Sequence, residues 1–108
     1  MENNVLSVTE LTTILKELIE VNFASITLEG EISNYKPSSS GHLYFTLKDT
    51  NAAIAAVMFR GRCQYLNFTP KDGMLVRVTG SLSVYPQRGS YQILVNTMEQ
   101  AGSGDILR

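Results

Sequence analysis

The chain has 108 residues, the length of one domain, and its 44% hydrophobic and 18% charged residues exclude a disordered, collagen-like or low-complexity architecture. No apolar run approaches the ~20 residues of a membrane span, Met1-Glu2-Asn3-Asn4 lacks the features of a secretory signal, and a lone Cys63 excludes an intrachain disulfide and a cysteine-based zinc site, so the expected compartment is the cytoplasm, with no membrane partner. The net charge of −1 conceals a split: residues 1–33 set six glutamates against Lys16, whereas residues 34–98 set seven lysines and arginines against Asp49 and Asp72. An acidic front and a basic body able to face a polyanion is one reading of that split; a solvated surface of mixed sign is the other.

The chain opens with a helix. Ser7 and Glu10 have the spacing of a capping box, and Leu11, Ile14, Leu15 and Leu18 recur at helical period, which predicts an amphipathic helix over 8–21. Its apolar stripe is expected to pack on the chain's own domain.

Strand patterns follow. Ile26, Leu28 and Ile32 alternate with polar residues over 25–34, and 36–41 reads as a loop by composition. His42 to Lys48 alternate cleanly, with Leu43, Phe45 and Leu47 on one side and His42, Tyr44, Thr46 and Lys48 on the other. Asp49-Thr50-Asn51 turns the chain into a third strand, Ala53 to Phe59, and 61–68 has room for one or two helical turns. A long fourth strand, Met74 to Tyr85, turns Val76, Val78, Leu82 and Val84 inward and is interrupted by Gly80, as a bulge or a sharp barrel bend requires. Pro86 to Gly89 is a loop, and Ser90 to Met98 is a fifth strand whose facing the alternation leaves unresolved.

Five strands with a short helical segment between the third and fourth give the element order of an OB-fold, a five-stranded Greek-key barrel, here preceded by an amphipathic helix. A small antiparallel sandwich competes; the long fourth strand with its central glycine favours closure. The division is a helix over 1–24 packed on the barrel, an OB-fold nucleic-acid-binding domain over 25–100, and the start of a linker over 101–108.

Catalytic constellations are missing from the pattern. His42 is the only histidine, Asp49 and Asp72 lie in turns, and the glycines fall singly rather than in a phosphate-cradling cluster. No cofactor or metal is expected in this chain. What remains is a surface. OB-folds bind single strands on the face of strands two and three and through the loops joining strands 1–2 and 4–5. Outward on strand two stand His42, Tyr44, Thr46 and Lys48; outward on strand three stand Ala55, Val57 and Phe59, followed by Arg60 and Arg62. The first loop adds Tyr35 and Lys36, the second adds Tyr85 and Arg88, and Arg77 completes the basic set. Aromatic rings stack bases while lysines and arginines meet phosphates. Core packing is the alternative role for Phe59 and Tyr91.

The blocks Gly30-Glu31-Ile32-Ser33-Asn34 and Ser40-Gly41-His42-Leu43-Tyr44-Phe45-Thr46-Leu47-Lys48-Asp49 closely resemble the large subunit of bacterial exodeoxyribonuclease VII. Met58-Phe59-Arg60-Gly61, Gly89-Ser90-Tyr91-Gln92 and the opening Ser7-Val8-Thr9-Glu10-Leu11 are similar to further blocks of that family, so the resemblance spans about Leu6 to Gly104. It implies an N-terminal OB-fold that binds single-stranded DNA. The parent enzyme would be a hydrolase degrading single-stranded DNA from either end, in a complex of a large subunit with several small subunits. It also implies that a catalytic domain and a coiled-coil region, whose cofactor needs stay unknown, would follow this chain; no catalytic residue of the family falls within it. Thr27 stands where relatives commonly carry tryptophan, and Ala55 where they carry a basic residue. A docking module with little DNA affinity, and an RNA-binding OB module, remain open alternatives.

Overall fold

The computed structural model describes residues 5–102; the linker expected over 101–108 lies almost wholly outside them. In chain order the elements are α1 (Val8–Asn22), β1 (Ile26–Pro37), β2 (Leu43–Lys48), β3 (Ala53–Met58), α2 (Arg60–Cys63), β4 (Leu75–Tyr85) and β5 (Ser90–Gln100). The five strands close into a barrel in the order β1-β2-β3-β5-β4, as the OB-fold expectation requires. Neighbours pair antiparallel except β3 and β5, which run parallel.

Strand alternation fills the barrel. Ile32, Phe45, Leu47, Met58, Val76, Val78, Ile93, Val95 and Met98 form one buried cluster, with Ile26, Leu28, Tyr35 and Leu82 packed against it. Two irregularities let the strands bend. In β4 the register with β5 shifts between Thr79 and Gly80, and a Cβ on Gly80 would overlap the Leu94 carbonyl oxygen, so only glycine fits that close approach. In β1 the register with β2 shifts between Ser33 and Lys36, with Asn34 at φ 51°, and Asp72 Oδ1 accepts the Tyr35 N–H at 2.9 Å. The carboxylate thus satisfies a backbone donor that the bulge takes out of the ladder.

β1 and β5 are longer than their alternation, while β2, β3 and β4 each lack one expected terminal residue. β1 continues through the bulge to Pro37, so Tyr35 and Lys36 belong to a strand and not to the loop expected there. β5 extends to Gln100 because Glu99 and Gln100 still pair with Arg77 and Val76. His42 falls just before β2, its N–H donated to Ser38 Oγ at 3.0 Å.

The helix differs more. Ser7 and Glu10 form the expected reciprocal cap, Glu10 Oε1 accepting the Ser7 N–H at 2.7 Å and Ser7 Oγ accepting the Glu10 N–H at 2.9 Å. The apolar stripe, however, faces away from the barrel: Leu11, Ile14, Leu15 and Leu18 are each 43–55% exposed. The less exposed positions are Thr12, Lys16, Ile19 and Glu20. The C-terminal end of α1 is tied to β4 by polar bonds, Glu20 Oε2 accepting the Val84 N–H at 3.0 Å and the Phe23 carbonyl accepting the Leu82 N–H at 2.9 Å. Burial of the stripe on its own domain is therefore corrected.

Candidate nucleic-acid interface

Directly paired residues in adjacent strands share a face, so register alone lays out the outer surface. One row runs Lys36, Tyr44, Val57 and Leu94; the next runs Ser33, Thr46, Ala55, Gln92 and Ser83. Lys36 and Tyr44 therefore stand side by side, as a base-stacking ring with an adjacent phosphate partner would. Val57 is in the expected outward row but is 1% exposed, because Tyr44 and Leu94 flank it at the centre of the sheet. It is corrected from a surface position to a buried support.

At one end of this face His42 makes edge-to-face contacts with Phe59 at 5.2 Å and Tyr44 at 6.5 Å between ring centroids. His42 Nδ1 accepts the Arg60 N–H at 3.0 Å, which leaves Nε2 to carry the proton of the neutral ring. Tyr44 and Phe59 remain 43% and 45% exposed, so the group offers open ring faces. Arg60 opens α2, and its side chain lies over Gly41: a Cβ there, at φ 93°, would stand 2.8 Å from Arg60 Cδ. Arg62 is exposed on the same short helix.

Beside this face the β4–β5 turn closes on Tyr85, whose carbonyl accepts the Arg88 and Gly89 N–H groups at 3.2 and 3.0 Å. The turn holds the Arg88 guanidinium 5.8 Å from the Tyr85 ring centroid, a cation–π pair at the rim. Between turn and sheet lies a groove of about 480 Å³, lined by Tyr44, Ala55, Tyr85, Pro86, Gln87, Arg88 and Gln92. The structure thus groups Lys36, His42, Tyr44, Phe59, Arg60, Tyr85 and Arg88 around one face.

Three of the expected residues stand elsewhere. Arg77 pairs with Glu29 at 2.9 Å and with Glu99 at 3.8 Å, on β4 between β1 and β5. Lys48 sits at the far end of β2, opposite Glu31. Tyr35 is half-buried against the core, and burial followed by the neighbouring Cys63 thiol raises its pKa. Burial likewise raises the Cys63 pKa, and its thiol donates to the Met58 and Phe59 carbonyls at 3.4 Å, the environment of an unreactive structural cysteine. Thr27 is exposed on β1, opposite Thr79 and away from the groove.

Sequence reasoning missed Gln92, because β5 alternates weakly and its facing depends on the parallel pairing with β3. Tyr91, weighed as a core residue, is 53% exposed. Among the described residues, no group of three or more His, Cys, Asp or Glu side chains is placed to hold a metal ion, and no helix is long and apolar enough to cross a membrane.

Comparison with known proteins agrees with the geometry. The family described as an OB-fold nucleic acid binding domain matches residues 6–99. The exodeoxyribonuclease 7 large subunit of Bacillus cytotoxicus is 52% identical over 108 residues, covering 98% of this chain and 24% of that protein. That of Stenotrophomonas maltophilia is 44% identical over 106 residues, again 98% of this chain and 24% of that protein. The chain thus spans about a quarter of the length of these curated relatives. In shape it is similar to a chain of a replication protein A heterotrimer bound to single-stranded DNA, with a TM-score of 0.60 at 14% identity over 78% of this chain and 62% of that one, a likeness of fold alone. By the match over residues 6–99 the chain belongs to the OB-fold nucleic-acid-binding domain family, and it is homologous to the exodeoxyribonuclease 7 large subunit.

Proposed function

We propose that this chain binds single-stranded DNA and presents it to a nuclease region outside it, as part of an exodeoxyribonuclease VII large subunit. The observation that carries the reading is the open face where Tyr44, Phe59 and His42 adjoin Lys36, Arg60 and Arg88. Exposed rings beside cations are what an unpaired strand requires: bases to stack and phosphates to neutralise. Arg62, exposed beside Arg60 on α2, is proposed as a further phosphate contact at the face, Lys48 and Arg77 as cations off the face that make no contact with the strand, and Tyr35 as a packed support. The barrel contributes no chemistry to phosphodiester hydrolysis in this reading. Any cofactor, the small subunits and the cytoplasmic setting belong to the parent assembly, and residues 101–108 begin the link to it.

The Tyr44→Ala/Arg60→Ala double variant tests the assignment. It should weaken oligo-dT binding by at least about tenfold, since one stacked base contributes ~1–3 kcal/mol, and leave the thermal midpoint nearly unchanged. Undiminished affinity would remove the surface assignment.

A second reading rests on α1, whose leucine stripe is left open to solvent. An apolar helix face of that kind fits a docking role in which the domain is held by the rest of its assembly. Salt-insensitive, feeble DNA binding together with measurable affinity for the remaining large subunit would favour it.

A further inference from the structure

We infer that the groove between the β4–β5 turn and the sheet is a pocket for a single nucleobase, bonded at its edge by the side-chain amide of Gln92. The inference rests on the nucleic-acid reading above and adds to it the group that a base meets and how that group discriminates.

Gln92 is 7% exposed and is the only polar residue in the buried class among the described residues. Its amide has no hydrogen-bond partner among them. Among the described residues no side-chain nitrogen or oxygen is sealed from solvent without a partner, so the unpartnered amide still reaches the groove. A polar group buried this deeply is normally bonded, and here only an occupant of the groove can bond it. In the free chain that occupant is solvent. Any ligand that enters must replace those bonds or lose affinity.

The surroundings select the ligand. Ala55, directly paired with Gln92 across the parallel β3–β5 ladder, carries only a methyl group and leaves the amide uncovered. Tyr44 and Tyr85, 43% and 42% exposed, and Pro86 give the groove flat apolar walls, and Arg88 stands over the Tyr85 ring at the rim. A volume of about 480 Å³ lies within the ~300–1,000 Å³ of small-ligand sites. A phosphate offers only acceptors to an amide that presents one donor and one acceptor. A nucleobase offers a flat ring to the walls and an adjacent donor and acceptor to the amide.

The same chemistry fixes the selectivity. Adenine and cytosine present an amino donor beside a ring-nitrogen acceptor, whereas guanine and thymine present a ring N–H beside a carbonyl. A glutamine amide turned by half a rotation matches either order. Gln92 therefore bonds every base and distinguishes a base from its absence, which suits a protein that must hold strands of any sequence.

The test is fluorescence anisotropy with oligo-dT and with an abasic oligomer of equal length, for the wild-type chain and for Gln92→Leu. The variant should lose about five- to tenfold affinity for oligo-dT, the worth of a hydrogen bond or two, and none for the abasic oligomer. NMR of the wild-type chain gives a second readout that needs no variant to fold: the Gln92 Nε2 protons should shift with oligo-dT and stay put with the abasic oligomer. Equal oligo-dT affinity of the two proteins with unmoved Nε2 signals overturns the base pocket, and leaves the binding face standing if Tyr44→Ala/Arg60→Ala still weakens binding. No oligo-dT affinity in the wild-type chain overturns both.

Discussion

Gly80 and Tyr44 illustrate two ways in which one side chain decides what the chain can do. At Gly80 the absence of a Cβ lets β4 pass against the Leu94 carbonyl where the barrel bends. Gly80→Ala should lower stability by about 1–3 kcal/mol, as overpacking of a tight site does, and a denaturant melt with unchanged slope checks it. The need for a glycine was legible from its place inside an apolar strand. The identity of the atom it avoids was not, because Leu94 is brought there by a strand pairing. Tyr44 was legible as outward from the alternation of β2 alone, whereas Val57, of the same outward parity, is covered by neighbours on two other strands. Alternation gives the direction of a side chain and pairing gives its exposure. Gln92 was missed for the same reason, and Arg77 drew attention as a cation before its partners Glu29 and Glu99 were placed beside it.

Among elements, α1 departs furthest from its pattern. Its cap followed from local sequence, since Ser7 and Glu10 are three residues apart and bond each other. Its packing face depended on tertiary contacts that periodicity does not encode, and polar bonds to β4 fixed it instead. Two outcomes follow. Ile14→Ser, on the open stripe, should change the unfolding free energy, read from a denaturant melt, by no more than the ~0.5 kcal/mol typical of surface substitutions, whereas a helix packed through its leucines would lose several times that. Glu20 behaves differently. The Lys16 ammonium at 2.7 Å and then the Val84 N–H hold its carboxyl below its ordinary 4.5. A depressed carboxyl stabilises the fold above its unfolded value, and that contribution is lost as pH falls through the folded value. Wild-type stability should therefore fall faster than that of Glu20→Gln once pH drops below about 4.5, and the two curves should run parallel above it. Matched thermal melts across that range read the difference.

For the whole molecule, a net charge of −1 sets a ceiling on how strongly a strand is held. The face gathers Lys36, Arg60, Arg62 and Arg88, and each phosphate neutralised on a single strand contributes ~0.7 to the salt slope, so the logarithm of affinity should fall with that of salt at a slope no steeper than about −3. Binding is accordingly expected to be micromolar or weaker at physiological salt, with stacking on Tyr44 and Phe59 carrying a large share. The barrel and its strand order were legible because turn residues, alternation and an interrupted long strand agree with one another. The groove was not, because it exists only where the β4–β5 turn meets a sheet assembled from β2, β3 and β5. The central claim, that this domain holds unpaired DNA, is tested most directly by titrating fluorescent oligo-dT with the chain at low salt and again at ~0.2 M salt, beside a duplex of the same length. The account predicts saturable binding to the single strand that exceeds duplex binding and weakens by roughly ten- to fiftyfold between ~0.05 and ~0.2 M salt. Absence of binding at both salts, or equal affinity for the duplex, would contradict it.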